Sequence, residues 1–171
     1  MLLRVKILTL FLSISSLISA QSLLLQTIYS PQCFNPLEGE EALICASADW
    51  LHAHPLRENT GNWSLVSNYF VKWFENRASF PIALDPTLRT LTDRNPELVL
   101  VFMAGYASYM IQHPAQHGDS VAGSFAGLQL LIETYQNNKA YYRRDRKIEQ
   151  LAEQLDKNQL YGMISLKLEE F

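Results

Sequence analysis

The chain has 171 residues, 48% of them hydrophobic and only 18% charged, with a formal net charge of −3 at pH 7. That balance describes one folded globular domain and excludes an intrinsically disordered chain. It also argues against non-specific nucleic-acid binding, which draws on a net basic excess.

Residues 1–20 have the form of a cleaved secretory signal. Arg4 and Lys6 supply a basic start, residues 7–17 are apolar apart from Thr9 and three serines, and Ile18-Ser19-Ala20 ends on a small residue. The run is too short and too broken by serine for a membrane span, which needs about 20 apolar residues. Cleavage is expected after Ala20, placing the protein in the periplasm or outside the cell. Losing Arg4 and Lys6 leaves the remainder two charges more acidic than the −3 of the whole chain. The next most apolar stretch, residues 98–111, is also too short to span and reads as a buried helix, so the mature chain is expected to have no membrane span.

Residues 21–36 form an irregular segment punctuated by Pro31 and Pro36, and residues 37–171 form a single helical domain. In an oxidising compartment the two cysteines, Cys33 and Cys45, are expected to pair. Closing a loop of about a dozen residues contributes roughly 3 kcal/mol in the chain-entropy account. Two free buried thiols are the alternative.

From Leu37 the apolar period is helical, with Leu37, Ala42 or Leu43, Ala46, Trp50 and Leu51 on one face, until His54-Pro55 stops it. Asn62 is placed to cap a second helix over 63–77, carrying Trp63, Val66, Phe70, Trp73 and Phe74. Asp85-Pro86 and Asn95-Pro96 each set a capping side chain before a proline at the first helical position. They open a short helix to about Thr92 and a long one over 96–112. Asp119 caps a further helix over 120–137. After a basic linker from Lys139 to Arg144, Ile148, Leu151, Ala152 and Leu155 resume the helical period, and residues 160–168 complete a last helix.

No strand-period alternation of useful length interrupts this pattern. The expected fold class is therefore all-α, a compact bundle of about six helices. Its centre is expected to be a close-packed pair over about 96–112 and 120–137. The first is apolar almost all round, and Ala104, Gly105, Ala107 and Ser108 meet Ala122, Gly123, Ala126 and Gly127 across two small-residue faces.

Four histidines are the main candidates for chemistry. Asp49-x-x-His52 places a carboxylate and an imidazole on one helix face, as in carboxylate-bridged di-metal bundles, although no second copy exists. His113 and His117 are four apart, but Pro114 and Gly118 mark a loop there. Asp49, His52, His113 and His117 are thus a metal set only if the fold gathers them. The competing reading is histidines at helix ends, where an imidazolium suits the dipole. No nucleophile elbow, Walker loop or dinucleotide fingerprint is present, since Gly123-Ser124-Phe125-Ala126-Gly127 falls within a helical pattern without a preceding strand. Most aromatic residues belong to the core, with Tyr69, Trp73 and Tyr109 candidates to border an apolar groove. The run from Lys139 to Lys147 mixes cations with Tyr141 and Tyr142, and reads either as a solvated linker or as a contact for a partner or an anionic surface.

Three phrases carry a resemblance: Asn62-Trp63-Ser64 with Lys72-Trp73, Leu100-Val101-Phe102-Met103-Ala104-Gly105-Tyr106, and Ile132-Glu133-Thr134-Tyr135-Gln136-Asn137-Asn138-Lys139. In these the chain resembles a group of small exported bacterial proteins with no assigned activity. The resemblance implies export and a compact helical domain.

Taken together, the sequence reads as an exported, non-enzymatic helical protein without a cofactor, binding a protein partner or a small apolar ligand. The alternative is a metal-dependent or hydrolytic enzyme using the histidine-bearing loops.

Overall fold

The computed structural model of the chain describes residues 39–82, 86–156 and 162. Residues 1–38, Asp85 and, apart from Gly162, the helix expected at 160–168 lie outside the described residues. All regular structure among those described is helical, as the hydropathy period predicts. The elements are α1 (Glu40–Ala53), α2 (Thr60–Arg77), α3 (Pro86–Leu91), α4 (Leu98–Gln112), a 3-10 turn (Pro114–Gln116), α5 (Ser120–Asn137) and α6 (Arg146–Asp156). Helix α4 packs most extensively on α5, α1 lies against α4 and α2, and α6 lies against α5.

Helix α1 carries Glu40 and Glu41 in its first turn, where the helix dipole favours them. Its buried face is Ile44, Ser47, Ala48 and Leu51, with Trp50 beside it, while Ala42 is exposed. Trp50 and Leu51 are buried as expected, while Leu43 and Ala46 are half-buried and flank the face. Ser47 can occupy the core because its hydroxyl donates to Leu43 O at 2.7 Å, leaving no polar atom unpaired. Helix α2 buries Trp63, Val66, Phe70 and Trp73, as their spacing predicts. It starts earlier than expected: Trp63 N–H already donates to Asn59 O at 2.9 Å, so Asn62 lies inside the first turn and is not the cap.

Two further starts differ in kind. At α5 the Asp119 carboxylate accepts from Ala122 N–H at 2.9 Å, the capping geometry expected from the sequence. At α4 the helix begins at Leu98 instead of Pro96, after a tightened turn in which Leu98 N–H donates to Asn95 O. Asn95 does not cap it. Its side chain is fully buried and clamps the backbone of Arg143, donating from Nδ2 to Arg143 O (2.9 Å) and accepting at Oδ1 from Arg143 N–H (2.8 Å).

That clamp changes the reading of the segment after α5. The stretch expected as a solvated linker is strapped onto the loop before α4. Arg94 donates to Arg144 O, Asp145 N–H donates to the Tyr135 hydroxyl, and Lys147 Nζ donates to Thr90 O. Tyr142 turns inward against Tyr135, with ring centroids 6.0 Å apart. Asp145 is buried, and its carboxylate accepts from Lys147 N–H at the start of α6.

Small residues set the α4–α5 distance. A Cβ on Gly127 would lie 2.7 Å from Phe102 O, and one on Gly105 would lie 3.1 Å from Ala126 O. Each helix thus approaches the other's backbone at a glycine, which compensates for the roughly 1 kcal/mol that glycine costs in a helix interior.

The buried tyrosines give the domain a pH limit. Burial raises the Tyr142 and Tyr106 hydroxyls above the ordinary 10.0, with the nearby Glu97 and Asp119 carboxylates adding to the effect. In the unfolded chain these groups lose their protons near pH 10, while the folded domain retains them. The folded state then binds more protons, so stability is complete below about pH 10 and falls as pH rises toward the folded-state values. Urea midpoints between neutral pH and pH ~11 should decline only above about 10, and Tyr142→Phe should flatten that decline.

Candidate functional site

His52 and His54 sit at the end of α1, His113 at the end of α4 and His117 just after the 3-10 turn, and each is engaged by the helix framework. His54 Nδ1 lies 3.0 Å from Trp50 O, with its ring stacked on Trp50 at 4.4 Å. His113 Nδ1 lies 2.9 Å from Tyr109 O, and His117 Nε2 lies 3.0 Å from Met110 O. A carbonyl only accepts, so each of these ring nitrogens carries the proton. Pro55 and Pro114 interrupt the chain just after α1 and α4, and the last carbonyls of a helix lack intrahelical partners. Trp50 O, Tyr109 O and Met110 O already accept from the backbone N–H of His54 or His113, and the imidazoles add a second donor to each.

His52 does something different. Its Nδ1 is 2.7 Å from Thr134 Oγ1, and the same hydroxyl lies 2.6 Å from Leu130 O. The threonine proton goes to the carbonyl, so His52 Nδ1 must be the donor. Asn138 completes the tie by donating from Nδ2 to both His52 O and Thr134 O. The end of α1 is thereby fastened to the end of α5.

This placement does not assemble the expected metal set. Asp49 is exposed on α1, His52 faces α5, and His113 and His117 turn back onto α4. Among the described residues, no three His, Cys, Asp or Glu side chains group as ligands for an ion. The physical reason is placement: His52 reaches across to Thr134 on α5, whereas His113 and His117 are held over the last carbonyls of α4. The Ser124 segment lies in the middle of α5, buried, with no strand before it.

The aromatic candidates divide. Trp73 is only 7% exposed and packs with Phe70 and Phe80 in the core. Tyr69 is half-buried on α2. Tyr109 is half-buried on α4, stacked on the exposed His113 ring at 4.2 Å and 21°, with its hydroxyl donating to Gln116 Oε1. Beside it, Gln112 reaches Ser108 Oγ at 3.1 Å and approaches Cys45 Sγ at 3.8 Å. Cys45 is a free thiol facing α4 and no disulfide is found among the described residues; its expected partner, Cys33, lies outside them.

Sequence reasoning missed Phe80, Gln116 and Thr134, and assigned Asn95 to a cap instead of the Arg143 clamp. Phe80 is the hub of the aromatic cluster, touching Trp73, Phe74, Tyr106 and the His117 ring, the last at 5.3 Å. It lies between helices, where no periodicity marks it, although Pro81 beside it signals an ordered turn.

The chain matches no known protein family, no curated protein and no solved structure. No helix among the described residues is long and apolar enough to cross a membrane.

Proposed function

We propose that the chain is an exported, non-enzymatic helical domain that recognises a protein partner or a small apolar ligand outside the cytosol, with Tyr109 and His113 at the contact. The observation that carries this reading is the stacked Tyr109–His113 pair at the surface, fixed at both ends. Gln116 holds the tyrosine hydroxyl, and Tyr109 O holds the imidazole. A ring pair ordered before binding loses little rotamer entropy on contact, which is why aromatic residues dominate recognition surfaces. Residues 1–20 are the export signal, and the α4–α5 pair is the centre about which the bundle of about six helices assembles.

Native mass spectrometry of the processed protein, purified without chelator, tests the reading. An organic adduct or a stoichiometric second polypeptide is expected, lost in Tyr109→Ala and kept in His52→Ala. A bare polypeptide mass in all three proteins removes the proposal, and a bound metal lost in His52→Ala and His113→Ala replaces it with the enzymatic alternative.

A further inference from the structure

The strap between α5 and α6 carries an uneven charge. Lys139, Arg143, Arg144, Arg146 and Lys147 face only Asp145 and Glu149 within the same stretch, in a chain whose net charge is −3. Asp145 is buried and caps α6, so it does little to offset the cations in solvent. Glu149 is engaged by Arg144 at 3.2 Å. Its carboxyl is held below the ordinary carboxylate range by that hydrogen bond first, and then by the charges of Arg144, Lys139 and Arg146. Arg144 is thus the cation paired with Glu149, and Arg94 is tied to the same segment through Arg144 O. The Arg144 side chain remains 74% exposed despite its pairing.

Tyr141 stands in the middle of this run. It is 37% exposed, the one large hydrophobic residue exposed among the described residues, while its neighbour Tyr142 is buried. The backbone beneath is fixed by the Asn95 clamp on Arg143, by the Tyr135 hydroxyl on Asp145 N–H, and by Tyr141 N–H donating to Asn138 O. The cations and the tyrosine are thus displayed by a tied segment.

We infer that this strap is a peripheral docking surface for an anionic lipid bilayer, with the cations at the phosphates and the Tyr141 ring at headgroup depth. Tyrosine concentrates at membrane interfaces because its ring is apolar and its hydroxyl is not. A cluster of four to eight cations binds anionic lipid at about 1 kcal/mol each, an attraction local enough to act within the Debye length of an acidic protein. A specific protein partner fits less well, since one exposed aromatic does not make the apolar core such an interface requires. This surface is on the opposite side of the α5 sequence from the Tyr109 pair, after its last residue and not before its first, and the inference does not rest on the recognition proposed there.

The test is cosedimentation of the full chain with vesicles of pure phosphatidylcholine and of phosphatidylcholine mixed with phosphatidylglycerol, at low and physiological ionic strength. Comparison with variants isolates the strap from the apolar segment at residues 1–20. Lys139→Gln/Arg143→Gln/Arg146→Gln removes cations other than Arg144 and Lys147, whose side chains make the internal bonds. It should lower affinity for the anionic vesicles about 100-fold, roughly fivefold per cation, and leave binding to neutral vesicles unchanged. Tyr141→Ala should lower anionic-vesicle affinity several-fold on its own, and its exposed side chain makes it the check should the triple variant misfold. Equal binding of wild type and both variants to anionic vesicles overturns the proposal. So does strap-dependent binding to polyglutamate without strap-dependent binding to vesicles, which would assign the surface to an acidic polymer.

Discussion

Gly127→Ala should destabilise the domain by about 2 kcal/mol, although alanine is the better helix former. The added Cβ would lie 2.7 Å from Phe102 O and 2.8 Å from two atoms of the Phe102 ring. A ring can tilt, but a backbone oxygen in the middle of α4 cannot, so the helices must separate. Forcing a methyl group into a packed contact costs about 1–3 kcal/mol, with the upper end fitting a rigid neighbour. The intrinsic preference for alanine, about 1 kcal/mol, recovers part of this. Gly61 supplies the control, because a Cβ there meets nothing within 4 Å near the start of α2. Gly61→Ala should be neutral or stabilising by a few tenths to about 1 kcal/mol. The urea midpoint should fall in Gly127→Ala and stay level or rise in Gly61→Ala. Equal midpoints would mean that α4 and α5 do not touch at Gly127.

Asn95→Ala should cost about 2–4 kcal/mol, since it leaves both the N–H and the carbonyl of Arg143 without the amide that satisfies them. The diagnostic variant is Asn95→Asp. If Asn95 capped α4, aspartate would replace it with little loss, because the two residues cap about equally well. In the clamp, aspartate keeps the acceptor for Arg143 N–H but loses the donor to Arg143 O. It also places a carboxylate at a fully buried position facing a carbonyl oxygen. Asn95→Asp should therefore be as destabilising as Asn95→Ala, and both should open residues 139–145 to limited proteolysis. A stable Asn95→Asp protein would restore the capping reading.

The contrast between Asn95 and Asp119 shows how far the sequence could be read. Both precede a strong apolar period, and at Asp119 the local signal holds because the nearest unsatisfied donor is Ala122 N–H. At Asn95 the side chain serves a backbone 48 residues away in the chain. That bond depends on the path of the main chain at Arg143, whatever side chain stands there, so the basic composition of 139–144 could not announce it. The helical class was legible because burial of Trp63, Val66, Phe70 and Trp73 requires the 3.6-residue period that their spacing displays. Phe80 was not, because a residue between helices belongs to no period.

The histidines follow the same division. Their position at helix ends could be read from His54-Pro55 and His113-Pro114, and so could a role at the C-terminal carbonyls. The spacing of Asp49 and His52 suggested a shared face, yet Asp49 is exposed while His52 reaches Thr134, 82 residues further along. Three residues advance a helix by 300°, near enough for a common ligand only if both side chains lean the same way. Here the packed threonine draws one of them aside.

These imidazoles act as structural donors, and their tautomers test that role most directly. Nitrogen-15 spectra of the histidine rings at pH ~8, where an ordinary imidazole is neutral, would be recorded before and after addition of zinc. The prediction is a proton on Nδ1 of His52, His54 and His113 and on Nε2 of His117, with the signals of His52 and His113 unmoved by the metal. Rapidly averaging tautomers, or a joint shift of His52 and His113 on adding zinc, would contradict it and return the site to metal chemistry.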